Sequence, residues 1–204
     1  MTYNYIYTAG KTDRPTFLLL HGTGGNENDL IPLAKMIDPE AGILSVRGDL
    51  SENGMNRFFR RLAEGIFDHE DLEKRTKNLY QFVNDAAEEH GFDRGNVVAL
   101  GYSNGANIAA SLFYFYDDAV KGALLHHPMV PFRDRELLDQ TGLPVFIGAG
   151  KNDPICPPQE TRDLSSMLEK AGSDVTTYWG EAGHSLTQEE LQHAKAWYNE
   201  HFSS

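Results

Sequence analysis

The chain has 204 residues, a length usual for one α/β domain, and 40% of them are hydrophobic, which is ample for a sizeable core. Its 18 basic and 30 acidic residues give a formal charge of −12. Nucleic acids and anionic membranes are bound by clustered Lys and Arg, so this balance argues against both as partners.

The chain shows no targeting or membrane signal. The first ten residues, MTYNYIYTAG, lack the basic segment and apolar stretch of a signal peptide. No run approaches the roughly 18 apolar residues of a membrane span. The single Cys156 allows no intramolecular disulfide and no cysteine-rich metal module. We therefore expect a soluble protein of a reducing compartment, the cytoplasm.

Short apolar runs recur along the chain and alternate with helical patterns. Most of the runs are nearly continuous in apolar character, which is typical of strands buried on both faces of a parallel sheet. The alternation predicts one α/β domain over residues 1–204, with an open, mostly parallel sheet and helices on both faces. The predicted strands are at 3–8, 16–20, 43–47, 97–100, 122–126, 144–149 and 174–179.

Helices are predicted near 27–37, 69–90 and 159–171, and a last helix opens at TQEE with a capping box from Thr187 to Glu190. The helix that follows residue 103 is apolar around most of its circumference, so we expect it to be buried against the middle of the sheet. The segment 48–68 fits neither pattern and is predicted to be an irregular excursion above the sheet.

The motif GYSNG places Ser103 between Gly101 and Gly105, where a predicted strand gives way to a helix. This matches G-x-S-x-G, in which a serine sits on a strained turn and the flanking glycines avoid collisions between strand and helix. Such a turn exposes the hydroxyl at the carboxyl edge of the sheet, and Ser103 is therefore a candidate nucleophile. The alternative is that Ser103 is an ordinary helix N-cap.

A serine hydroxyl needs a base, and the base needs an orienting carboxylate. Asp153 directly follows the strand predicted at 144–149, and His184 follows the one at 174–179. The chain order of Ser, acid and His is the one expected for an open α/β sheet. Asp153 could instead only shape the turn before Pro154, and His184 could be a locally bonded loop residue.

The loop HGTGG after the strand at 16–20 supplies glycines that let the backbone approach a substrate closely. We expect the backbone N–H groups of Thr23 and Asn104 to form an oxyanion hole. A phosphate-binding loop is the rival interpretation, but no Gly-Lys-Ser/Thr follows the glycines.

No metal or cofactor is predicted. The sequence has no H-E-x-x-H or comparable ligand spacing. His126 and His127 end a predicted strand, where adjacent side chains point to opposite faces, so a shared metal is not expected.

Only about 17 residues separate the strand ending near 126 from the one starting at 144, which is too few for a large helical lid. The pocket should be open and suited to small-molecule esters with short or medium acyl chains. Its expected apolar walls are Phe58, Phe59, Met129 and Val130, although core filling is an equally good explanation for them. Arg47 could meet an acidic group of the substrate or form an internal salt bridge.

Four motifs, LHGTGGNENDL, GYSNGA, GKNDPICP and the late GH, resemble in order and spacing the phospholipase/carboxylesterase family of the α/β-hydrolase fold. The resemblance extends over nearly the whole chain, and RGDLSENGMNRFFRR is similar to its bacterial carboxylesterase branch. It implies a catalytic triad of Ser103, Asp153 and His184, oxyanion donors at Thr23 and Asn104, and a homodimer as a common assembly.

The expected activity is that of a serine carboxylesterase acting on short- to medium-chain or aryl esters through an acyl-enzyme. Asn104 and Ala106 differ from the Gln-Gly common in the related acyl-protein thioesterases, which weakens the case for thioester substrates. The alternatives are a thioesterase or lysophospholipase, and a hydrolase-fold binding or sensor protein with slow catalysis.

Overall fold

The computed structural model describes residues 3–202. Its main feature is a seven-stranded sheet in the order β1-β3-β2-β8-β9-β10-β11, in which β1 is antiparallel to β3 and all other neighbours are parallel. Along the chain the strands are β1 (Tyr5–Thr8), β2 (Thr16–Leu20), β3 (Gly42–Val46), β4 (Leu50–Glu52), β5 (Met55–Arg57), β6 (Arg61–Ala63), β7 (Ile66–Phe67), β8 (Val97–Tyr102), β9 (Gly122–His126), β10 (Pro144–Gly150) and β11 (Asp174–Gly180).

Five α-helices connect these strands: α1 (Ile31–Ile37), α2 (His69–His90), α3 (Asn104–Ser111), α4 (Pro158–Lys170) and α5 (Gln188–Phe202). Single 3₁₀ turns lie at Arg94–Asn96 and Leu112–Tyr114. The end of α2 follows from its sequence, because Gly91 adopts a left-handed φ of 74° and its N–H bonds to the carbonyl of Ala87. The first helix is shorter than predicted, since residues 27–30 form turns.

The helices cover both faces of the sheet, as the alternation of strands and helices predicted. Side chains of α1 and α5 pack with one set of strand residues, while those of α2, α3 and α4 pack with the other. Consecutive residues of a strand point to opposite faces, so Val98 and Leu100 enter one core and Ala99 the other. Every residue of α3 is buried, in agreement with its apolar sequence.

The segment 48–68 is more regular than predicted. It forms two small antiparallel hairpins, β4–β5 and β6–β7, which are separate from the main sheet. Phe58 and Phe59 lie between the two hairpins and are 1% and 0% exposed, within the larger hydrophobic core. These side chains anchor the excursion to the sheet.

Five adjacent parallel strands, β2, β8, β9, β10 and β11, end at the same edge of the sheet. The residues that follow their carboxyl ends therefore meet there, which is where open α/β sheets bind ligands. None of the helices described within residues 3–202 has both the length and the apolar character that crossing a bilayer requires.

Candidate active site

Ser103 stands on a sharp turn between β8 and α3. Its backbone has φ 52° and ψ −113°, a conformation that non-glycine residues rarely adopt. A Cβ on Gly105 would lie 1.9 Å from the carbonyl oxygen of Leu20, and one on Gly101 would lie 2.6 Å from that of Gly105. The Ser103 side chain makes no capping bond to the helix, so the N-cap interpretation does not hold.

The three residues expected to form a triad lie within hydrogen-bond distance of one another. His184 Nε2 is 2.8 Å from Ser103 Oγ, and His184 Nδ1 is 2.7 Å from Asp153 Oδ2. Because an ionised carboxylate only accepts, Nδ1 carries the proton and Nε2 is left to accept the one from the hydroxyl. This arrangement allows His184 to act as a base toward Ser103.

Asp153 is held by hydrogen bonds to both of its oxygens. Oδ1 accepts from the backbone N–H groups of Ile155 and Cys156, both at 2.8 Å. Oδ2 accepts from His184 and also from His127 Nδ1, at 2.9 Å. Burial raises the pKa of this carboxyl, but the hydrogen bonds from Cys156, His127 and His184 outweigh burial and hold the pKa below its ordinary value.

The backbone N–H groups of Thr23 and Asn104 are available to an oxyanion. Both residues line the same cleft as Ser103, and within residues 3–202 neither N–H donates a hydrogen bond. The N–H of Asn104 lies in the first turn of α3, where intrahelical acceptors are lacking and the helix dipole favours negative charge.

The hairpin β4–β5 holds the loop that carries Thr23. The N–H of Gly24 donates to the carbonyl of Asn56 at 2.9 Å, and Asn56 Nδ2 donates to the carbonyl of Gly25 at 2.8 Å. The buried guanidinium of Arg57 donates to Thr23 Oγ1 at 2.6 Å. The segment 48–68, which was predicted to be irregular, therefore positions the loop of the predicted oxyanion hole.

His21 also stabilises the loop that carries Thr23. Its Nε2 accepts from the N–H of Gly48 at 3.0 Å, and its Nδ1 donates to the carbonyl of Gly22 at 2.6 Å. Burial lowers the pKa of His21, which agrees with the neutral ring that these two bonds require.

Ser103 opens into a cleft of about 280 Å³. Of the four apolar residues expected on its wall, Met129 lines the cleft, whereas Phe58, Phe59 and Val130 are buried core residues that do not line it. The pattern of apolar and polar residues in a sequence does not distinguish a side chain in the core from one that faces a cavity. The sequence also did not identify several lining residues, namely Arg57, Arg61, Glu64, Phe67, Tyr102, Asn107 and Ile155.

Arg47 does not reach the cleft. It forms a two-pronged salt bridge with Glu27, with Nε–Oε2 at 2.5 Å and Nη2–Oε1 at 2.7 Å. Of the two roles considered for Arg47, the structure supports the internal salt bridge.

The expectation that His126 and His127 point apart is wrong. Both rings contact the carboxylate of Glu190, because a φ of 54° at His127 ends the strand and breaks its alternation. Glu190 was expected to be a capping residue, and its backbone N–H does donate to the predicted partner, Thr187 Oγ1, at 3.2 Å. Its side chain, however, turns inward to the two histidines.

His127, Asp153 and His184 offer three potential metal-ligand atoms that lie within 4.8 Å of one another. Within this group, Nδ1 of each histidine and Oδ2 of Asp153 already make the hydrogen bonds described above. A metal ion here would have to displace both ring protons and separate His184 from Asp153. The hydrogen-bonded arrangement favours proton transfer over metal binding, and the absence of a metal stays a prediction.

Comparison with known proteins places this fold among hydrolases. The model of the dienelactone hydrolase family matches residues 46–202. The Bacillus subtilis (strain 168) protein named "Putative hydrolase MhqD" is 56% identical over 196 residues, which cover 96% of this chain and 98% of that protein.

Solved structures agree with this. The Bacillus cereus carboxylesterase is 57% identical, with a TM-score of 0.97 over 98% of this chain and 95% of that one. YahD, solved with malic acid, is 36% identical, with a TM-score of 0.94 over 98% and 100% of the two chains.

These findings confirm the α/β-hydrolase fold and support hydrolase activity of the carboxylesterase type. The narrower expectation, the phospholipase/carboxylesterase family, is not confirmed by these findings. Because the matching model spans most of the chain, the protein belongs to the dienelactone hydrolase family.

Proposed function

We propose that the protein is a serine carboxylesterase in which Ser103, His184 and Asp153 form the catalytic triad. The observation that carries this proposal is the continuous hydrogen-bonded line from Ser103 Oγ through the His184 ring to Asp153 Oδ2, with distances of 2.8 and 2.7 Å. These three residues lie in the loops after β8, β10 and β11. Their arrangement provides a hydroxyl, a base and an orienting acid.

In the proposed reaction, His184 Nε2 takes the Ser103 proton as Oγ attacks the ester carbonyl carbon. Asp153 stabilises the imidazolium that forms. The N–H groups of Thr23 and Asn104 bind the developing oxyanion, and the imidazolium then protonates the departing alcohol. Water, deprotonated by His184, hydrolyses the acyl-enzyme and restores Ser103.

The proposed substrates are small esters with short to medium acyl chains or an aryl group. A cleft of about 280 Å³ lies just below the usual range for ligand sites, roughly 300–1,000 Å³, which favours small substrates. Met129, Phe67 and Ile155 give it apolar contact surface. The name of the matching family refers to a lactone, which is a cyclic ester that the same attack would open.

The test is steady-state and burst kinetics with p-nitrophenyl acetate and Ser103→Ala. We expect the variant to lose the burst and fluorophosphonate labelling while keeping its circular dichroism spectrum. Ser166→Ala, on the exposed side of α4, is the matched control and should behave as the parent. A burst retained by Ser103→Ala would overturn the assignment.

A panel of substrates separates the proposal from its alternatives. p-Nitrophenyl esters of increasing chain length, a small lactone, an acyl thioester and a lysophospholipid would be compared by kcat/KM. We expect the short esters to be the best substrates. A clear preference for the thioester or the lysophospholipid would favour the rival enzyme classes, and a protein that the fluorophosphonate does not label would favour a binding role.

A further inference from the structure

A buried cluster of His126, His127 and Glu190 lies behind the triad. His126 Nδ1 is 2.5 Å from Glu190 Oε1, and His127 Nε2 is 3.1 Å from Glu190 Oε2. All three side chains are at most 2% exposed. A charged carboxylate at such depth is costly unless it is paired, so this cluster requires an explanation.

Gly148 on β10 makes room for the cluster. A Cβ at this position would lie 1.9 Å from Glu190 Oε1 and 2.9 Å from His126 Nδ1. The carboxylate of Glu190 therefore packs directly on the backbone of the sheet. This position, in the first turn of α5, also lets the helix dipole stabilise its negative charge.

The cluster is joined to the triad through one oxygen atom. His127 Nδ1 bonds to Asp153 Oδ2, the same oxygen that accepts from His184 Nδ1. His127 thus lies between two carboxylates, Asp153 on one side and Glu190 on the other. Because an ionised carboxylate only accepts hydrogen bonds, both ring nitrogens of His127 must donate. The ring that satisfies both contacts is the imidazolium.

The electrostatic surroundings agree with this protonation state. Burial lowers the pKa of His127, but the hydrogen bonds and charges of Glu190 and Asp153 outweigh burial, and the pKa is raised above its ordinary value. Burial raises the pKa of Glu190, and the bonds from His126 and His127 more than reverse this effect, so the pKa is lowered.

We propose that His127, held as a buried imidazolium by Glu190, is a positioning residue that fixes Asp153 Oδ2 for the triad and places a positive charge beside the His184 ring. This inference rests on the proposed function, because it assigns His127 a role in the same reaction. The His127 and His184 rings are 5.2 Å apart between centroids, so a positive charge on the first opposes a positive charge on the second.

The groups that face His127 come from four elements beside its own. Two of these groups, Asp153 and Glu190, carry negative charge. The groups are Asp153 and Cys156 after β10, Glu190 on α5, His184 after β11, Tyr102 on β8 and its neighbour His126. Burial raises the pKa of the Cys156 thiol, which keeps this group neutral.

The protonation state is tested directly by NMR of the full-length protein labelled with ¹⁵N-histidine. In an imidazolium both ring nitrogens carry protons and have similar shifts, whereas those of a neutral ring differ widely. We expect one imidazolium signal at pH 8 that is lost in His127→Asn and in Glu190→Gln. If every histidine is neutral at pH 8, the proposal is overturned.

His127→Asn is the sharpest variant for kinetics. Asn tolerates the left-handed backbone at this position, and its Nδ2 can replace the Nδ1 donor to Asp153 without the charge. We expect the acid limb of kcat/KM for p-nitrophenyl acetate to move to higher pH, since the variant removes the positive charge that faces the His184 ring. His193→Asn, on the exposed face of α5, is the matched control and should not move it.

The two proposals fail in different ways. The NMR experiment needs no activity, so an inert protein that keeps the imidazolium would refute only the proposed function. An active enzyme whose His127 is neutral at pH 8, or whose acid limb stays in place in His127→Asn, would refute only the role of His127. If the Asn variant does not fold, the wild-type and Glu190→Gln spectra still decide the matter.

Discussion

The side-chain oxygen of Asn104 accepts a hydrogen bond from the backbone N–H of Phe58 over 2.7 Å. Asn104 is the first residue of α3 and Phe58 follows β5, so this bond joins the turn that carries Ser103, the proposed nucleophile, to the small hairpins. Both residues are buried. The predicted oxyanion donor at Asn104 is thereby fixed by the same segment that holds Thr23.

Asn104→Ala should reduce both stability and activity. It leaves the buried N–H of Phe58 without an acceptor, which costs about 1–3 kcal/mol of unfolding free energy. Asn107→Ala is the matched comparison, because Asn107 Oδ1 accepts from the backbone N–H of Met129 at 2.7 Å. In urea unfolding both variants should lose similar stability, but kcat should fall more in Asn104→Ala. Equal losses of kcat would contradict a special role for this bond.

Gly105→Ala tests the close contact between α3 and β2. A Cβ there would lie 1.9 Å from the carbonyl oxygen of Leu20, so the helix must move, and we expect a loss of about 3 kcal/mol or more. Gly142→Ala is the control: it has φ 78° and no atom within 4 Å of the added Cβ, so only the conformational cost of about 1–2 kcal/mol remains. Equal destabilisation in chemical denaturation would show that the contact is less tight than described.

Thr23→Val separates the backbone donor from the side chain. The change keeps the N–H at position 23 and the shape of the side chain, but it removes the acceptor of the bond from Arg57. Losing a true oxyanion donor typically reduces kcat by about 10²–10³-fold. We expect the reduction in Thr23→Val to stay below about tenfold, measured with p-nitrophenyl acetate. A hundredfold loss would mean that the hydroxyl itself takes part.

The buried cluster predicts a stability maximum on the pH scale. The pKa of Asp153 and of Glu190 is lowered in the fold, so their contribution is present above the ordinary carboxyl pKa of about 4 and is lost as the pH falls. The pKa of His127 is raised, so its contribution is present below about 6.5 and is lost as the pH rises through the folded value. Stability should therefore decline on both sides of an intermediate range.

Glu190→Gln checks this relation. At neutral pH it should destabilise the protein by about 3 kcal/mol, because a buried pair loses one charge, and its stability should fall less steeply in acid than that of the parent. Glu136→Gln is the control, since Glu136 is 92% exposed and its substitution should change nothing measurable. Parallel pH profiles of unfolding free energy for parent and Glu190→Gln would contradict the prediction.

The order of elements was predictable because each depends on nearby residues. Continuous apolar runs identified the seven strands of the main sheet, and the boundary of α2 at Gly91 followed from one glycine. Ser103 was identifiable because its sharp turn leaves no room for side chains at Gly101 and Gly105, and this requirement is local to the turn. Asp153 and His184 were found because each directly follows a strand, and parallel strands end at one edge of the sheet.

The substrate cleft was less predictable. Phe58 and Phe59 have the same apolar character as Met129, yet only Met129 lines the cleft. Which apolar side chain faces a cavity depends on how the hairpins fold back on the sheet. That path is set by contacts such as Arg57 with Thr23, whose partners lie 34 residues apart.

By itself the sequence determined the fold class and the three candidate catalytic residues, because periodicity and turn chemistry act over a few residues. Only the tertiary structure decided the cluster of His126, His127 and Glu190 behind the proposed triad. The left-handed backbone of His127 interrupts the alternation of side chains along the strand, so its ring points to the same side as that of His126. Glu190, which contacts both rings, lies on α5, 63 residues after His127. A carboxylate in the first turn of a helix has the same sequence signature as a cap, and only its burial between two histidines gives it a different role.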